Sequence, residues 1–101
     1  MTTKEMFAVL NETDEFGEQQ QRLLKQYLAE QVERYDRGDD VPNDIAYEIA
    51  GLMSANSVWQ LPNDDPFMKV MLLAGSLELP DPHHGPGESW DELKRLIIAL
   101  P

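Results

Sequence analysis

Residues 16–38 read FGEQQQRLLKQYLAEQVERYDRG, and this stretch is the strongest helix signal in the chain. Its large apolar side chains recur at spacings of one, three and four residues, which places them on one face of an α-helix. They are Leu23, Leu24, Tyr27, Leu28, Val32 and Tyr35. Gly38 is a typical helix C-cap residue, so we predict one long helix from about Phe16 to Arg37.

The other face of this helix carries acids placed four residues before arginines. The pairs are Glu18 with Arg22, Glu30 with Arg34, and Glu33 with Arg37. This order favours helical ion pairs, each contributing about 0.2–0.5 kcal/mol. The pattern is that of a helix with one buried and one solvated face.

Shorter helices are predicted on both sides of it. Thr2 and Glu5 form a capping box that starts a first helix. A third helix carries an apolar stripe over residues 45–53 and is expected to fray near Ser54. Asp65 followed by Pro66 is a typical helix start, and an almost wholly apolar fourth helix is predicted from Pro66 to Leu77.

A last helix is predicted near the C-terminus, where a second capping box pairs Ser89 with Glu92. The preceding residues 80–87 are rich in proline and glycine and are predicted to be non-helical. No segment shows the alternation typical of strands. We therefore predict an all-α fold: a compact single-domain array of about four to five helices, without a sheet, over residues 1–101.

Composition limits the class of protein. The chain has no cysteine, which excludes disulfides and thiol catalysis. It begins without a signal-peptide pattern, and no apolar run approaches the ~20 residues of a membrane helix. A cytoplasmic protein is the expectation, and its size favours a bacterial or phage source.

Charge is the most distinctive property. The formal net charge is -11 in 101 residues, and the segment between Arg37 and Lys94 holds most of this excess. Such a field repels nucleic acid and anionic lipid and attracts basic proteins. We therefore expect a basic protein partner, with no direct nucleic-acid or membrane partner.

The acids of this segment divide into two groups. Five of them, Asp44, Asp64, Asp65, Asp91 and Glu92, lie where predicted helices begin, which gives them a structural role. The remaining six are the candidate partner-binding acids. They are Asp39, Asp40, Glu48, Glu78, Asp81 and Glu88.

Two apolar residues join them as candidate contacts. Met68 belongs to a methionine group on the third and fourth helices, and methionine suits adaptable interfaces. Trp59 precedes the fourth helix and is a typical interface anchor if it is exposed. The alternative is that both belong to the core, because a fold of this size buries most of its large side chains.

Chemistry beyond binding has weak support. Adjacent His83 and His84, near Asp81, are the only candidates for a metal site. They are weak candidates, because neighbouring side chains in a loop usually diverge. The acids of residues 36–44 do not fit the calcium-loop spacing, since glycine falls third and Tyr47 falls twelfth from Asp36. No nucleophile or glycine-rich loop supports Glu48 as a catalytic acid, so neither an enzyme nor a cofactor is predicted.

In composition and general class the chain resembles small immunity or antitoxin-type inhibitors, although this resemblance covers no motif. The leading hypothesis is a non-enzymatic protein-binding module that inhibits or regulates a basic protein partner. The alternatives are a structural or homo-oligomeric helical module, and a small metal-binding protein or enzyme that uses the His83–His84 loop.

Overall fold

The computed structural model describes residues 1–39, 42–78 and 86–101, with side chains for all of them except 42, 78 and 86–89. The described residues form five α-helices and a 3-10 turn at Leu52–Ser54, and they contain no strand. The helices are α1 (Thr3–Asn11), α2 (Glu18–Arg37), α3 (Pro42–Gly51), α4 (Pro66–Glu78) and α5 (Pro86–Ile98). The predicted compact all-α fold is confirmed.

Helix α2 follows its sequence pattern closely. It begins at Glu18, two residues later than predicted, and ends at Arg37 as expected. Gly38 lies in the left-handed region with φ 71°, and its N–H donates to the carbonyl of Tyr35 at 3.1 Å. Most L-residues adopt this conformation only with strain, so the position of glycine fixes the end of the helix.

Capping side chains start α1 and α4 as predicted. The Glu5 N–H donates to Thr2 Oγ1 and the Thr2 N–H donates to Glu5 Oε1, both at 3.1 Å. These bonds to its charged form hold the pKa of Glu5 below its usual value. At α4, Asp65 Oδ1 accepts the N–H groups of Phe67 at 2.9 Å and Met68 at 3.3 Å.

The predicted start of α5 is wrong. The helix begins at Pro86, so Ser89 lies inside the helix rather than at its N-cap. Pro86 and Gly87 are therefore helical, although residues 80–87 were predicted to be non-helical. Proline is favoured in the first turn because its missing N–H has no helical partner there. The rest of the predicted loop, residues 80–85, lies outside the described residues.

The apolar helix α4 packs against both α3 and α5, which explains its nearly continuous hydrophobicity. Its buried side chains are Phe67, Met68, Val70, Met71 and Ala74. Helix α2 packs against α1, α3 and α5. The contact between α2 and α5 includes stacked rings of Tyr35 and Trp90, whose centroids lie 4.5 Å apart. No helix in the described part of the chain combines the length and the apolar character needed to cross a membrane.

Candidate functional site

Two of the six candidate acids have described side chains, and each is bonded to an arginine of α2. Asp39 Oδ2 lies 2.7 Å from Arg37 Nε, and Glu48 Oε2 lies 2.9 Å from Arg34 Nη1. Glu48 is also only half-exposed. These ion pairs partly neutralise both carboxylates, which leaves less of their charge for a partner.

The other four candidate acids have no described side chain. Asp40 and Asp81 lie outside the described residues. Glu78 ends α4 and Glu88 lies in the first turns of α5, but their side chains also fall outside the description. Whether the six acids share one face therefore stays a prediction.

The two apolar candidates have opposite placements. Met68 is only 5% exposed and belongs to the core, which corrects its assignment as a partner contact. The cause is its position on α4, which is covered from two sides. Trp59 is 62% exposed, so its indole is available to a partner. Trp90, by contrast, is 2% exposed.

The weak metal candidates, His83 and His84, lie outside the described residues together with Asp81. In the described ranges, no three histidine or carboxylate side chains come close enough to hold a metal ion. The possibility of a metal site in the histidine loop stays untested.

The structure draws attention to another acidic segment, residues 12–18, which we call the acidic loop. It connects α1 to α2 and includes Glu18, the first residue of α2. Glu12, Asp14, Glu15 and Glu18 are all exposed. The loop contains no lysine or arginine, so its formal charge is -4 over seven residues. It borders an open cleft of about 360 Å³, whose lining includes Val9 and Gln20.

Hydrogen bonds fix the first end of the acidic loop. Asn11 Oδ1 accepts the N–H of Asn56 at 3.1 Å, and the Asn11 carbonyl accepts Asn56 Nδ2 at 3.0 Å. Next to it, the Leu10 carbonyl accepts both the N–H and the hydroxyl of Ser57, at 3.2 and 2.6 Å. The chain therefore enters the loop from a position tied to the segment that follows the 3-10 turn.

Aromatic packing and capping bonds fix the other end. The ring of Phe16 packs edge-on against Phe67 of α4, with centroids 5.1 Å apart. The Gly17 N–H donates to Gln20 Oε1 at 2.8 Å, and Gln21 Nε2 donates to the Phe16 carbonyl at 3.1 Å. The backbone that carries the four carboxylates is thus held at both ends, which reduces the ordering cost of binding.

Trp59 lies near the entrance of the same loop. It is two residues beyond Ser57, whose N–H bonds to Leu10, so the Cα atoms of Ser57 and Trp59 are at most about 7 Å apart. Its own N–H donates to the Ala55 carbonyl at 3.1 Å, which fixes the turn. The structure therefore places an exposed aromatic residue beside the segment that anchors the acidic loop.

Sequence reasoning missed this loop because charge was counted over long segments. Residues 1–37 carry a formal charge of only -3, since Lys4 and four cations of α2 offset five of the eight acids. The cations of α2 are Arg22, Lys25, Arg34 and Arg37. These α2 cations come after the acidic loop in the sequence, and the loop itself contains none. A charge count in windows of seven residues would have found it.

A second polar cluster joins the first three helices. Glu48 on α3 accepts the hydroxyl of Thr3 on α1 at 2.9 Å, as well as Arg34 on α2. Thr3 Oγ1 also lies 2.8 Å from the hydroxyl of Tyr27, and Arg34 Nη1 donates to Gln31 Oε1 at 2.6 Å. The cluster faces an open cleft of about 370 Å³.

The hydrogen atoms in this cluster have one consistent arrangement. A carboxylate only accepts, so the single hydroxyl hydrogen of Thr3 points to Glu48. Tyr27 must then donate to Thr3, which requires a neutral phenol. Burial raises the pKa of Tyr27 to about 12, and nearby Glu48 acts in the same direction. The arrangement ties helices together, and its only buried ionisable group stays protonated at neutral pH.

Comparisons of this chain with protein-family models, curated proteins and solved structures found no match.

Proposed function

We propose that this protein is a non-enzymatic binding module that docks a basic protein partner on the acidic loop, with Trp59 as an apolar anchor beside it. The observation that carries the proposal is the acidic loop itself, which has four exposed carboxylates and no basic residue. Like charges this close repel one another, and a cationic partner relieves that repulsion.

The distribution of carboxylates supports a surface role. Of the 15 described carboxylate side chains, 13 are exposed, and the two half-buried ones, Glu48 and Asp65, are hydrogen-bonded within the fold. Acid–base catalysis usually employs carboxylates whose environment shifts their pKa strongly. Exposed carboxylates on a fixed backbone instead suit charge complementarity with a partner.

Trp59 adds an apolar contact, which charged groups alone do not provide. Tryptophan is enriched among the residues that dominate binding energy, and its ring attracts lysine and arginine side chains. A basic surface that reached both Trp59 and the acidic loop would gain apolar contact together with ion pairing.

The acidic loop also has a structural role that competes with this proposal. It leads into the N-terminus of α2, where the helix dipole stabilises negative charge. Replacing its acids should therefore reduce the free energy of unfolding slightly. The test must separate this effect from a loss of binding.

The decisive experiment is affinity capture from a lysate of the source organism, with two variants of equal charge. The loop variant combines Glu12→Gln, Asp14→Asn, Glu15→Gln and Glu18→Gln. The control variant combines Asp44→Asn, Asp64→Asn, Asp91→Asn and Glu92→Gln, which removes four exposed acids elsewhere. The proposal predicts a basic protein that binds the native protein and the control but not the loop variant.

The captured partner is then purified and its association rate is measured across salt concentrations. Electrostatic docking predicts that the rate falls at least about tenfold between low and high salt, because exposed charges are screened. Trp59→Ala should mainly raise the dissociation rate. A partner that binds the loop variant as well as the native protein, or an association rate that ignores salt, would refute the proposal.

A homo-oligomeric role remains the second hypothesis, and the same samples test it. Copies with a formal net charge of -11 repel one another, so self-association through any surface should strengthen when the four loop acids are neutralised. Sedimentation of the native protein and the loop variant at matched concentrations measures this directly.

A further inference from the structure

Helix α1 is attached to the fold by few contacts. Only two of its nine residues, Met6 and Leu10, are fully buried. Isolated helices shorter than about 12 residues are marginal in water. If α1 leaves the fold it should therefore unfold, so detachment and unfolding of α1 form one event.

The polar contacts of α1 lie at its two ends. Near its start, Thr3 bonds to Glu48 of α3 and to Tyr27 of α2. At its end, Leu10 and Asn11 bond to the segment after the 3-10 turn. Between the ends, apolar packing holds the helix.

We propose that α1 opens as a unit while the other helices stay folded, and that Glu48 is the latch that holds it closed. Glu48 is suited to this role because one carboxylate joins three helices: it accepts Thr3 of α1 and Arg34 of α2 from its place on α3. Arg34 keeps the Glu48 carboxylate in position. When α1 opens, the partner of Thr3 therefore stays behind with the helices that remain folded.

Opening would also alter the acidic loop. Leu10 and Asn11 are the anchors of its first end, and they would leave with α1. The four carboxylates would then be carried by a longer free segment. The latch would thus control how ordered the acidic loop is, whether or not a basic partner binds there.

The test is amide hydrogen exchange at neutral pH, followed residue by residue by NMR. The amides of residues 7–11 report on α1, and those of residues 70–74 report on the core helix α4. In the native protein, the α1 amides should exchange faster and respond less to added urea, because less surface is exposed by a local opening.

Two variants weaken the latch. Thr3→Val removes the hydroxyl from α1, and Glu48→Ala removes its acceptor. Each should speed exchange of the α1 amides roughly three- to tenfold, the range expected for one lost hydrogen bond to a half-exposed acceptor such as Glu48. Their combined effect should be less than additive, because they remove the same contact.

The matched control is Asp65→Ala, which removes the N-cap of α4 and leaves α1 unchanged. It lowers global stability, so it should speed the α4 amides. If α1 opens by itself, the exchange rates of the α1 amides should not change in this variant.

Equal acceleration of the α1 and α4 amides would show that α1 opens only with the whole fold, and would overturn the proposal. Unchanged α1 exchange in both Thr3→Val and Glu48→Ala would overturn the role of the latch.

Discussion

Replacing Tyr27 with phenylalanine should change how stability depends on alkaline pH. The Tyr27 ring is 1% exposed, and burial raises the pKa of its phenol to about 12, against about 10 in an unfolded chain. The folded state therefore holds the proton more tightly than the unfolded state. The stability that this preference contributes is fully present below about pH 10 and is lost as the pH rises towards 12.

The magnitude follows from the two pKa values. Their difference corresponds to about 2.7 kcal/mol between the limits, of which about 1.4 kcal/mol is lost by pH 11. At about pH 8, Tyr27→Phe should cost about 1 kcal/mol, because it removes the hydrogen bond to Thr3. Near pH 11 the native protein and the variant should therefore have similar free energies of unfolding.

Urea unfolding of both proteins at a series of pH values measures this convergence. The other ionisable groups are common to both proteins, so the difference between their free energies of unfolding isolates Tyr27. Absorbance titration should show one phenol fewer ionising near pH 12 in the variant. If both proteins lost stability in parallel from about pH 8 to 11, the assignment of Tyr27 as a buried, neutral phenol would be refuted.

Three further changes test the placements that the structure assigns, each by urea unfolding. Trp90→Ala should cost about 3–5 kcal/mol because it empties a buried site, whereas Trp59→Ala should change stability by less than about 0.5 kcal/mol. Asp65→Ala should cost about 1 kcal/mol through the lost cap of α4, and its neighbour Asp64, which is exposed, serves as the control. Gly38→Ala should cost about 1 kcal/mol because of its positive φ, and a gain in stability would contradict the strained cap.

Local signals predicted most helix boundaries and failed where two of them competed. Gly38 and the Asp65–Pro66 pair marked boundaries correctly, because each acts through its own backbone or the next turn. At α5, the capping box at Ser89 predicted a later start, and Pro86 was interpreted as a helix breaker although it occupies the first helical position. Propensity alone separates such starts by only about 1 kcal/mol, so packing of the helix can decide between them.

The candidate site was harder to predict than the fold. Net charge directed attention to the acids as candidate binding residues. Two of them, Asp39 and Glu48, lie in ion pairs with Arg37 and Arg34, and the sequence did not predict either pair. Met68 and Trp59 were equal candidates for a surface until packing separated them. Burial depends on which face of a helix is covered, and a helix as apolar as α4 does not reveal this in its pattern.

The sequence by itself determined the helical class, the length of α2 and the acidic character of the protein. These follow from short-range causes: side-chain periodicity, capping within four residues, and composition. The tertiary structure alone decided that one carboxylate of α3 holds α1 and α2 together, and that Asn56 and Ser57, shortly before Trp59, anchor the first end of the acidic loop. Such contacts join residues that are distant along the chain, 45 positions for Thr3 and Glu48 and 47 for Leu10 and Ser57, and no local pattern encodes their proximity.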